Sequence, residues 1–210
     1  MKKISQIVSD KHATSRGVTA FEMIIVLVII GLLAAFAIPQ LISARRLMKF
    51  SGIQQQLVAS LRDARQLAMS ERRKVTLRYD DNSKLLRTYE LPIVPAPPVS
   101  VDVLGPQGDP RNRIVSLTDN GLLASDIVYG APGAAPTTLA DTSSITNPIS
   151  GFVDVTFNPR GDVIDVATGQ LDNNKALFFY ENNSKTAFAV SILAPGGRIR
   201  IWKYNGTIYQ

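Results

Sequence analysis

The sequence predicts an α+β protein: a long N-terminal helix packed on an antiparallel β-sheet domain. Two observations carry this prediction. Apolar residues dominate or recur at helical spacing as far as about residue 74, and from Val75 onward they alternate with a period of two. One helix followed by a run of strands, without regular alternation of the two, is typical of the α+β class.

The first predicted element is a membrane-spanning helix over residues 18–42. Residues 23–38 carry no charge and are mostly aliphatic. A helix of about 25 residues extends about 37 Å at about 1.5 Å per residue, enough to cross a bilayer with some tilt. Pro39 removes a backbone donor near the end of the apolar run, so we expect a kink or local unwinding there.

Residues 43–74 are predicted to continue the helix as an amphipathic half. Leu57, Leu61, Ala64 and Ala68 recur on one face, whereas charged residues fill the intervening positions. The small alanines allow a sheet to approach the helix closely. We therefore assign a packing role to this face.

Residues 75–210 are predicted to form the β domain. Alternating patterns and turn residues predict strands over 75–79, 85–91, 152–157, 163–166, 176–180, 186–193 and 198–204. A loop-rich region over 92–150 contains nine of the twelve prolines, and within it three short apolar stretches are candidate strands: 99–104, 114–117 and 127–129.

The start of the apolar run carries a motif. Gly17 and Glu22 frame the residues Val-Thr-Ala-Phe, and the uncharged run follows directly. Placing a carboxylate in a membrane span costs about 2.5–3.5 kcal/mol at the centre and less near an end. An acid retained at this position therefore indicates a specific role.

This motif resembles the processing site of type IV prepilins and type II secretion pseudopilins. The resemblance implies that residues 1–17 are a leader, that prepilin peptidase cuts between Gly17 and Val18, and that it N-methylates Val18. It also implies that Glu22 pairs with the freed amine of Val18 on a neighbouring subunit, and that Pro39 marks a place where the helix can melt in a filament. Val18 and Ala20-Phe21 depart from the residues usual in these families.

Two alternatives explain the same N-terminus. An ordinary signal peptide would be cut after Ala35-Phe36-Ala37, and a plain membrane anchor would not be cut at all. A signal peptide has no use for Glu22, which favours the prepilin interpretation. Removal of the leader would lower the net charge from +6 to +3, because the leader carries four cations and one acid.

Three further segments narrow the resemblance to the GspH/FimT group of minor pilins and pseudopilins. They are the helix segment 61–75, the hairpin Phe157-Asn-Pro-Arg-Gly161 and the closing Gly197-Arg-Ile-Arg200. The group implies other pilin or pseudopilin subunits and an inner-membrane assembly platform as partners. It also implies a single-pass location in the bacterial inner membrane, with the C-terminal domain in the periplasm, and later a place in the filament.

The function that this resemblance implies is that of a minor pilin-like structural subunit of a type IV pilus or related filament. Two alternatives stay open. One is a DNA-binding minor pilin for DNA uptake, and the other is a pseudopilin of a type II secretion system. The shared leader does not separate pili from secretion filaments.

The last predicted strand carries the candidate DNA contacts. Alternation places Arg198, Arg200, Trp202 and Tyr204 on one face, with isoleucines on the other. Arginines contact phosphates and aromatic rings stack on bases, so this combination fits DNA as a partner. The closing Gly-Arg-Ile-Arg matches the pattern tied to DNA binding in FimT-like pilins. The alternative is a sheet strand with cross-strand Arg–aromatic pairs.

Composition argues against catalysis. The chain has no cysteine, and its single histidine, His12, lies in the predicted leader. We therefore expect no Cys/His or Ser-His-Asp chemistry, no metal site, no cofactor and no enzyme activity. Ordinary turns explain Arg160-Gly161-Asp162, Asp172-Asn173-Asn174 and Asp80-Asp81 better than integrin-type recognition or calcium binding does.

Overall fold

The structure is a computed structural model that describes residues 19–90, 113–119, 121–172 and 175–210. The chain divides into two compact units, Met1–Ala44 and Arg45–Gln210. Helix α1, Ala20–Glu71, contributes residues to both units, and every described strand belongs to the second.

Helix α1 begins with a capped first turn. The Thr19 hydroxyl accepts a hydrogen bond from the Glu22 backbone N–H at 3.2 Å, which satisfies one of the free donors of that turn. Pro39 lies inside the helix, and the Ser43 hydroxyl donates to the Pro39 carbonyl at 3.1 Å. The helix continues without a break through Pro39, and the predicted kink stays a prediction.

The helix ends at Glu71, about three residues before the predicted end. Arg72 adopts a left-handed φ of 52°, and the Arg73 N–H donates to the Ala68 carbonyl at 3.2 Å. This is the 6→1 bond of a Schellman motif, which turns the chain out of the helix. Strand β1 can then begin at Val75.

The strands form two sheets. The first contains β1 Val75–Asp80, β2 Leu85–Glu90, β3 Arg113–Ser116, β6 Phe152–Phe157 and β7 Val163–Ile164, in the order β3-β2-β1-β6-β7. The second contains β4 Ile127–Tyr129, β5 Ser144–Ile145, β8 Lys175–Glu181, β9 Ala187–Leu193 and β10 Arg198–Lys203, in the order β10-β9-β8-β4. Strand β5 pairs with β8 in parallel, whereas all other pairs are antiparallel. A short 3₁₀ helix, Ala124–Asp126, precedes β4.

The α+β class is therefore confirmed, but two sheets replace the one that the sequence predicted. Alternation within a strand shows which side chains share a face and does not show which strand is its neighbour. The candidate strands at 114–117 and 127–129 correspond to β3 and β4. The one at 99–104 lies outside the described residues.

The core of the second unit joins the helix to both sheets. Ile53, Leu57 and Leu61 on α1 are buried in one cluster with the inner face of the first sheet and that of the second. The rings of Phe50 and Phe188 lie 5.2 Å apart and connect the helix to β9. Burial of large apolar side chains is the main favourable term for such a domain.

The first sheet contains one buried polar pair. The hydroxyls of Thr76 on β1 and Thr156 on β6 lie 2.8 Å apart, and both residues are almost fully buried. The two residues are direct partners in the β1–β6 register. Because a one-residue slip would leave each hydroxyl opposite an apolar residue, this pair favours a single register.

Candidate functional site

The first candidate site is the apolar surface of α1 in the N-terminal unit. The most apolar stretch of this helix is strongly hydrophobic, and none of it is buried. Phe21, Leu27 and Phe36 each expose about two thirds or more of their surface (72%, 67% and 68%). Among the described residues, α1 is the one helix long and apolar enough to cross a membrane. A helix that is apolar all round requires lipid or other helices around it.

Glu22 is the one acid in the first turn of this helix. It is exposed, and its carboxylate makes no hydrogen bond or ion pair with any described residue. A negative charge in the first turn interacts favourably with the helix dipole. The carboxylate is therefore available to a cation from another molecule.

Gly17 and Val18, the predicted cleavage residues, lie outside the described residues. The structure begins to describe the chain at Thr19, which caps the helix. Cleavage between Gly17 and Val18 and methylation of Val18 stay predictions.

The second candidate site is strand β10. Its register places Arg198 opposite Leu193, Arg200 opposite Ser191 and Trp202 opposite Ala189 on β9. Both arginines are exposed, and within the described part of the chain neither makes a hydrogen bond, an ion pair or a cation–π contact. Tyr204 lies one residue past the strand and forms a bridge to Tyr209.

The two aromatic residues of this face, unlike the arginines, contact other side chains of the domain. The Trp202 Nε1–H donates to the Ser191 hydroxyl at 2.9 Å, and that hydroxyl donates to Asp141 at 2.6 Å. The Tyr204 ring lies 5.1 Å from the ring of Tyr209. Both aromatics pack against a small cluster on the outer face of the second sheet. These fixed positions leave Arg198 and Arg200 as the groups most accessible to a ligand.

The alternative of Arg–aromatic pairs applies elsewhere in the domain. The Arg78 guanidinium lies 5.0 Å from the ring of Phe152 and 5.6 Å from that of Tyr89. It also makes a bidentate pair with Asp154, at 2.7 and 2.6 Å. The hydrogen bond to Asp154 raises the pKa of Arg78, so this arginine is a fixed structural cation.

The structure brings together the three segments that carried the GspH/FimT resemblance. The Arg65 Nε–H on α1 donates to the Gly161 carbonyl in the β6–β7 turn at 3.2 Å. A Cβ at Gly197 would lie 2.2 Å from that same carbonyl oxygen and 3.1 Å from Arg65. Gly197 also adopts a φ of 54°, which favours glycine. We call this contact of Arg65, Gly161 and Gly197 the three-segment joint.

Asp162 completes the joint from the β6–β7 turn. Its carboxylate accepts a hydrogen bond from the Gly196 N–H at 2.6 Å and another from Asn158 Nδ2 at 3.2 Å. These two bonds, with smaller contributions from nearby arginines, lower the pKa of Asp162 below its ordinary value of 3.8. The sequence predicted these segments and a turn at Asp162, but it did not predict the contacts of Arg65 and Asp162, because these contacts join residues far apart in the chain.

The other acidic candidates take part in local structure. Asp80 accepts hydrogen bonds from the backbone of Asn82 and Ser83, and Asp81 contacts Tyr79 and Lys84. Asp172 forms an ion pair with Lys175 at 3.2 Å, and residues 173 and 174 lie outside the described chain. Among the described residues, no group of three or more His, Cys, Asp or Glu side chains is placed to hold a metal ion.

The Arg160-Gly161-Asp162 tripeptide is confirmed as a tight turn between β6 and β7. The Asn158 side chain accepts from the backbone N–H of Arg160 and of Asp162, at 2.8 and 3.0 Å. Gly161 is buried in the turn, with a φ of 82°. The central glycine is therefore not available to a partner in this conformation.

Comparison with known proteins gives no match for this chain, either to a protein-family model, to a curated protein or to a solved structure.

Proposed function

We propose that this chain is a minor pilin-like structural subunit of a type IV pilus or related filament. The observation that carries the proposal is the unburied apolar surface of α1 with Glu22 in its first turn. In water such a surface is unfavourable, at about 25 cal/mol per Å² of apolar area. A bilayer before assembly, and neighbouring helices after it, would both remove this area from water.

The proposed mechanism begins with the precursor in the bacterial inner membrane. Prepilin peptidase removes residues 1–17 and methylates Val18, and the assembly platform then transfers the subunit to the filament. There Glu22 pairs with the Val18 amine of a neighbouring subunit. Pairing stabilises the carboxylate, because an unpaired charge in an apolar environment is strongly penalised.

The three-segment joint supports the choice of the GspH/FimT branch. The segments with the resemblance are distant in sequence but meet at Arg65, Gly161 and Gly197. Residues that pack together in one place have a shared structural reason to occur together. The proposed filament subunit would display this β domain on the filament surface or at its tip.

Mass spectrometry of the mature N-terminus tests the proposal. Expression in a host with prepilin peptidase should give a chain that starts with N-methylated Val18, and a host without the peptidase should retain residue 1. A mature chain that starts at Ile38 would identify an ordinary signal peptide and refute the proposal. An uncut chain in both hosts would identify a plain anchor and refute it equally.

DNA uptake is a second candidate function, favoured by one observation. Arg198 and Arg200 are exposed, and within the described chain neither pairs with another group. A mobility-shift assay on the full chain in detergent should then show binding that weakens steeply as salt increases. The double variant R198A/R200A should reduce this binding by about tenfold or more, whereas R160A should not. Equal binding by both variants would exclude β10 as the contact.

A pull-down from the envelope would distinguish both candidates from a type II secretion pseudopilin.

A further inference from the structure

Strand β10 is the longest open edge among the described strands. It has six residues, and β9 is the one described strand that it pairs with, whereas the other outer strands, β3, β7, β4 and β5, have four, two, three and two. An edge strand presents a row of backbone N–H and C=O groups that can pair with another chain. Short edge strands reduce this tendency, and β10 lacks that protection.

The backbone groups on the outer edge of β10 can be assigned from its bonds. The Tyr204 N–H donates to Ala187 on the inner side, whereas Lys203 exchanges bonds with Gln210 on the outer side. The backbone N–H and C=O groups of successive residues point to opposite edges of a strand. Those of Ile199 and Ile201 therefore face the outer edge, like those of Lys203. Within the described chain, no group pairs with the backbone of these two isoleucines at that edge.

Part of this edge already binds an extended segment. The Lys203 N–H donates to the Gln210 carbonyl at 2.8 Å, and the Gln210 N–H donates to the Lys203 carbonyl at 3.0 Å. This pair of bonds is the one that directly opposed residues of antiparallel strands exchange. The geometry of the edge therefore suits an antiparallel partner next to Ile201.

The side chains of the edge specify the charge of that partner. Arg198 and Arg200 are exposed on one face, and on the other face Lys203 is exposed and Ile201 exposes 43% of its surface. The strand contains no acid. Carboxylates opposite the arginines and apolar side chains opposite the isoleucines would complement both faces.

We propose that the outer edge of β10 binds an extended acidic segment of a partner protein by strand addition. The partner runs antiparallel to β10 and exchanges backbone hydrogen bonds with Ile199 and Ile201. Its acidic residues lie opposite Arg198 and Arg200, and its alternate apolar residues lie opposite the isoleucines. This inference goes beyond the proposed filament function and does not depend on it.

A second copy of β10 is a poor occupant of the same edge. Antiparallel self-pairing centred on Arg200 places two like charges directly opposite each other, and centring it on Ile199 places Arg198 opposite Arg200. Centring it on Ile201 requires the backbone of Lys203, which Gln210 already occupies. The cations thus disfavour self-association and select for acidic strands.

The test measures the binding of synthetic peptides to the full chain in detergent. Trp202 is the only tryptophan of the chain and lies in β10, so its fluorescence reports on binding at this edge. A peptide of alternating Glu and Val should bind, and a peptide of alternating Lys and Val should bind at least about tenfold more weakly. Equal binding of the two peptides would overturn the proposed charge selection.

N-methylated peptides separate backbone pairing from simple charge attraction. In the proposed register the Val residues lie opposite the isoleucines and exchange hydrogen bonds with them, whereas the Glu N–H groups point away. Methylation of the Val nitrogens should therefore weaken binding by about tenfold or more, and methylation of the Glu nitrogens should not. The same affinity for both methylated peptides would refute strand addition.

Two variants test the edge from the side of the protein. I201P removes one outward N–H but no bond to β9, so it should abolish binding of the Glu–Val peptide, whereas I201V should retain it. The double variant R198E/R200E should reverse the preference toward the Lys–Val peptide. Thermal unfolding of each variant checks that the domain is folded. Retained binding in I201P, or arginine-dependent binding of single-stranded DNA without peptide binding, would overturn the proposal.

Discussion

The two units of this chain use the same apolar residues in opposite ways. In the C-terminal unit, Leu57 and Leu61 of α1 are fully buried against two sheets. In the N-terminal unit, Leu27 and Leu33 of the same helix expose 67% and 63% of their surfaces. The second unit thus buries its apolar side chains within the chain, whereas those of the first are exposed and could be covered by lipid or by another protein.

Replacement of Glu22 should have the largest effect, and it should affect the assembly role of the N-terminal unit without changing the C-terminal unit. In the proposed filament, E22A leaves the Val18 amine of a neighbour without a partner, which costs about 3–5 kcal/mol for a buried pair. Incorporation into filaments should fall by about a hundredfold or more, while leader removal and the unfolding of the β domain stay unchanged. Immunoblotting of sheared filaments measures incorporation, immunoblotting of membranes measures leader removal, and urea denaturation measures unfolding.

The matched control for this change is E71A, at the other end of the same helix. Glu71 is exposed and belongs to the C-terminal unit. E71A should assemble normally. Normal assembly of E22A as well would contradict the proposed role of Glu22.

Two leucine substitutions compare the units directly. L57A removes a fully buried side chain and should lower the free energy of unfolding of the β domain by about 2–5 kcal/mol. L27A changes an exposed side chain in the other unit and should alter this free energy by less than about 0.5 kcal/mol. Urea denaturation of the detergent-solubilised chain, followed by Trp202 fluorescence, measures both. Equal effects would contradict the division into two units.

The three-segment joint can be tested with a pair of glycines of the same backbone conformation. Gly197 and Gly133 have φ values of 54° and 55°, but a Cβ at Gly133 would meet nothing within 4 Å. G133A should therefore lower the free energy of unfolding only by the cost of placing alanine in the left-handed conformation, about 1–2 kcal/mol. G197A also introduces a clash with the Gly161 carbonyl, so it should lower the free energy of unfolding by about 1–3 kcal/mol more. If both variants unfold at the same denaturant concentration, the close contact does not stabilise the domain.

The smallest expected effect concerns Asp162 and pH. Its pKa in the folded state lies below the ordinary value of 3.8, so the carboxylate stabilises the fold above that value and loses this contribution as the pH falls through the folded pKa. D162N keeps an oxygen acceptor for the Gly196 N–H but does not titrate. The stability difference between wild type and D162N should be clear at pH 7 and should shrink as the pH falls through the folded pKa of Asp162. A difference that does not change with pH would exclude the charge as its cause.

The sequence was sufficient to predict most of the local elements of this fold, although it missed the short strand β5 and the 3₁₀ helix before β4. Period-two alternation gave β1, β6 and β9 nearly to the residue, and uncharged aliphatic residues gave the long helix. Strand β7 ends at Ile164, before the predicted residue 166, because Asp165 accepts hydrogen bonds from the backbone of Ala167 and Thr168 and forms a turn. A side chain that hydrogen-bonds to the backbone in this way competes with strand pairing, and the period-two pattern of apolar residues hardly reveals it.

The candidate sites were only partly predictable, for a different reason. The alternation of the last strand predicts which residues share a face with Arg198, but it does not show that Ser191 holds the Trp202 indole. Likewise Gly196-Gly197 signals a turn, whereas its contact with Arg65 depends on how distant segments pack. Such long-range contacts are set by the tertiary fold, which a periodicity does not specify.

The pairing of β1 with β6 also affects how the chain folds. Thr76 and Thr156 are neighbours in the first sheet but 80 positions apart in the chain, so the centre of that sheet requires closure of a long loop. Contacts of such high sequence separation slow folding. A chain that emerges from a ribosome or a translocon from its N-terminus exposes Val75–Asp80 without its β6 partner until residue 157 has followed. During this interval the apolar face of β1 is open to aggregation, and a chaperone that binds extended apolar strands would act on this segment first.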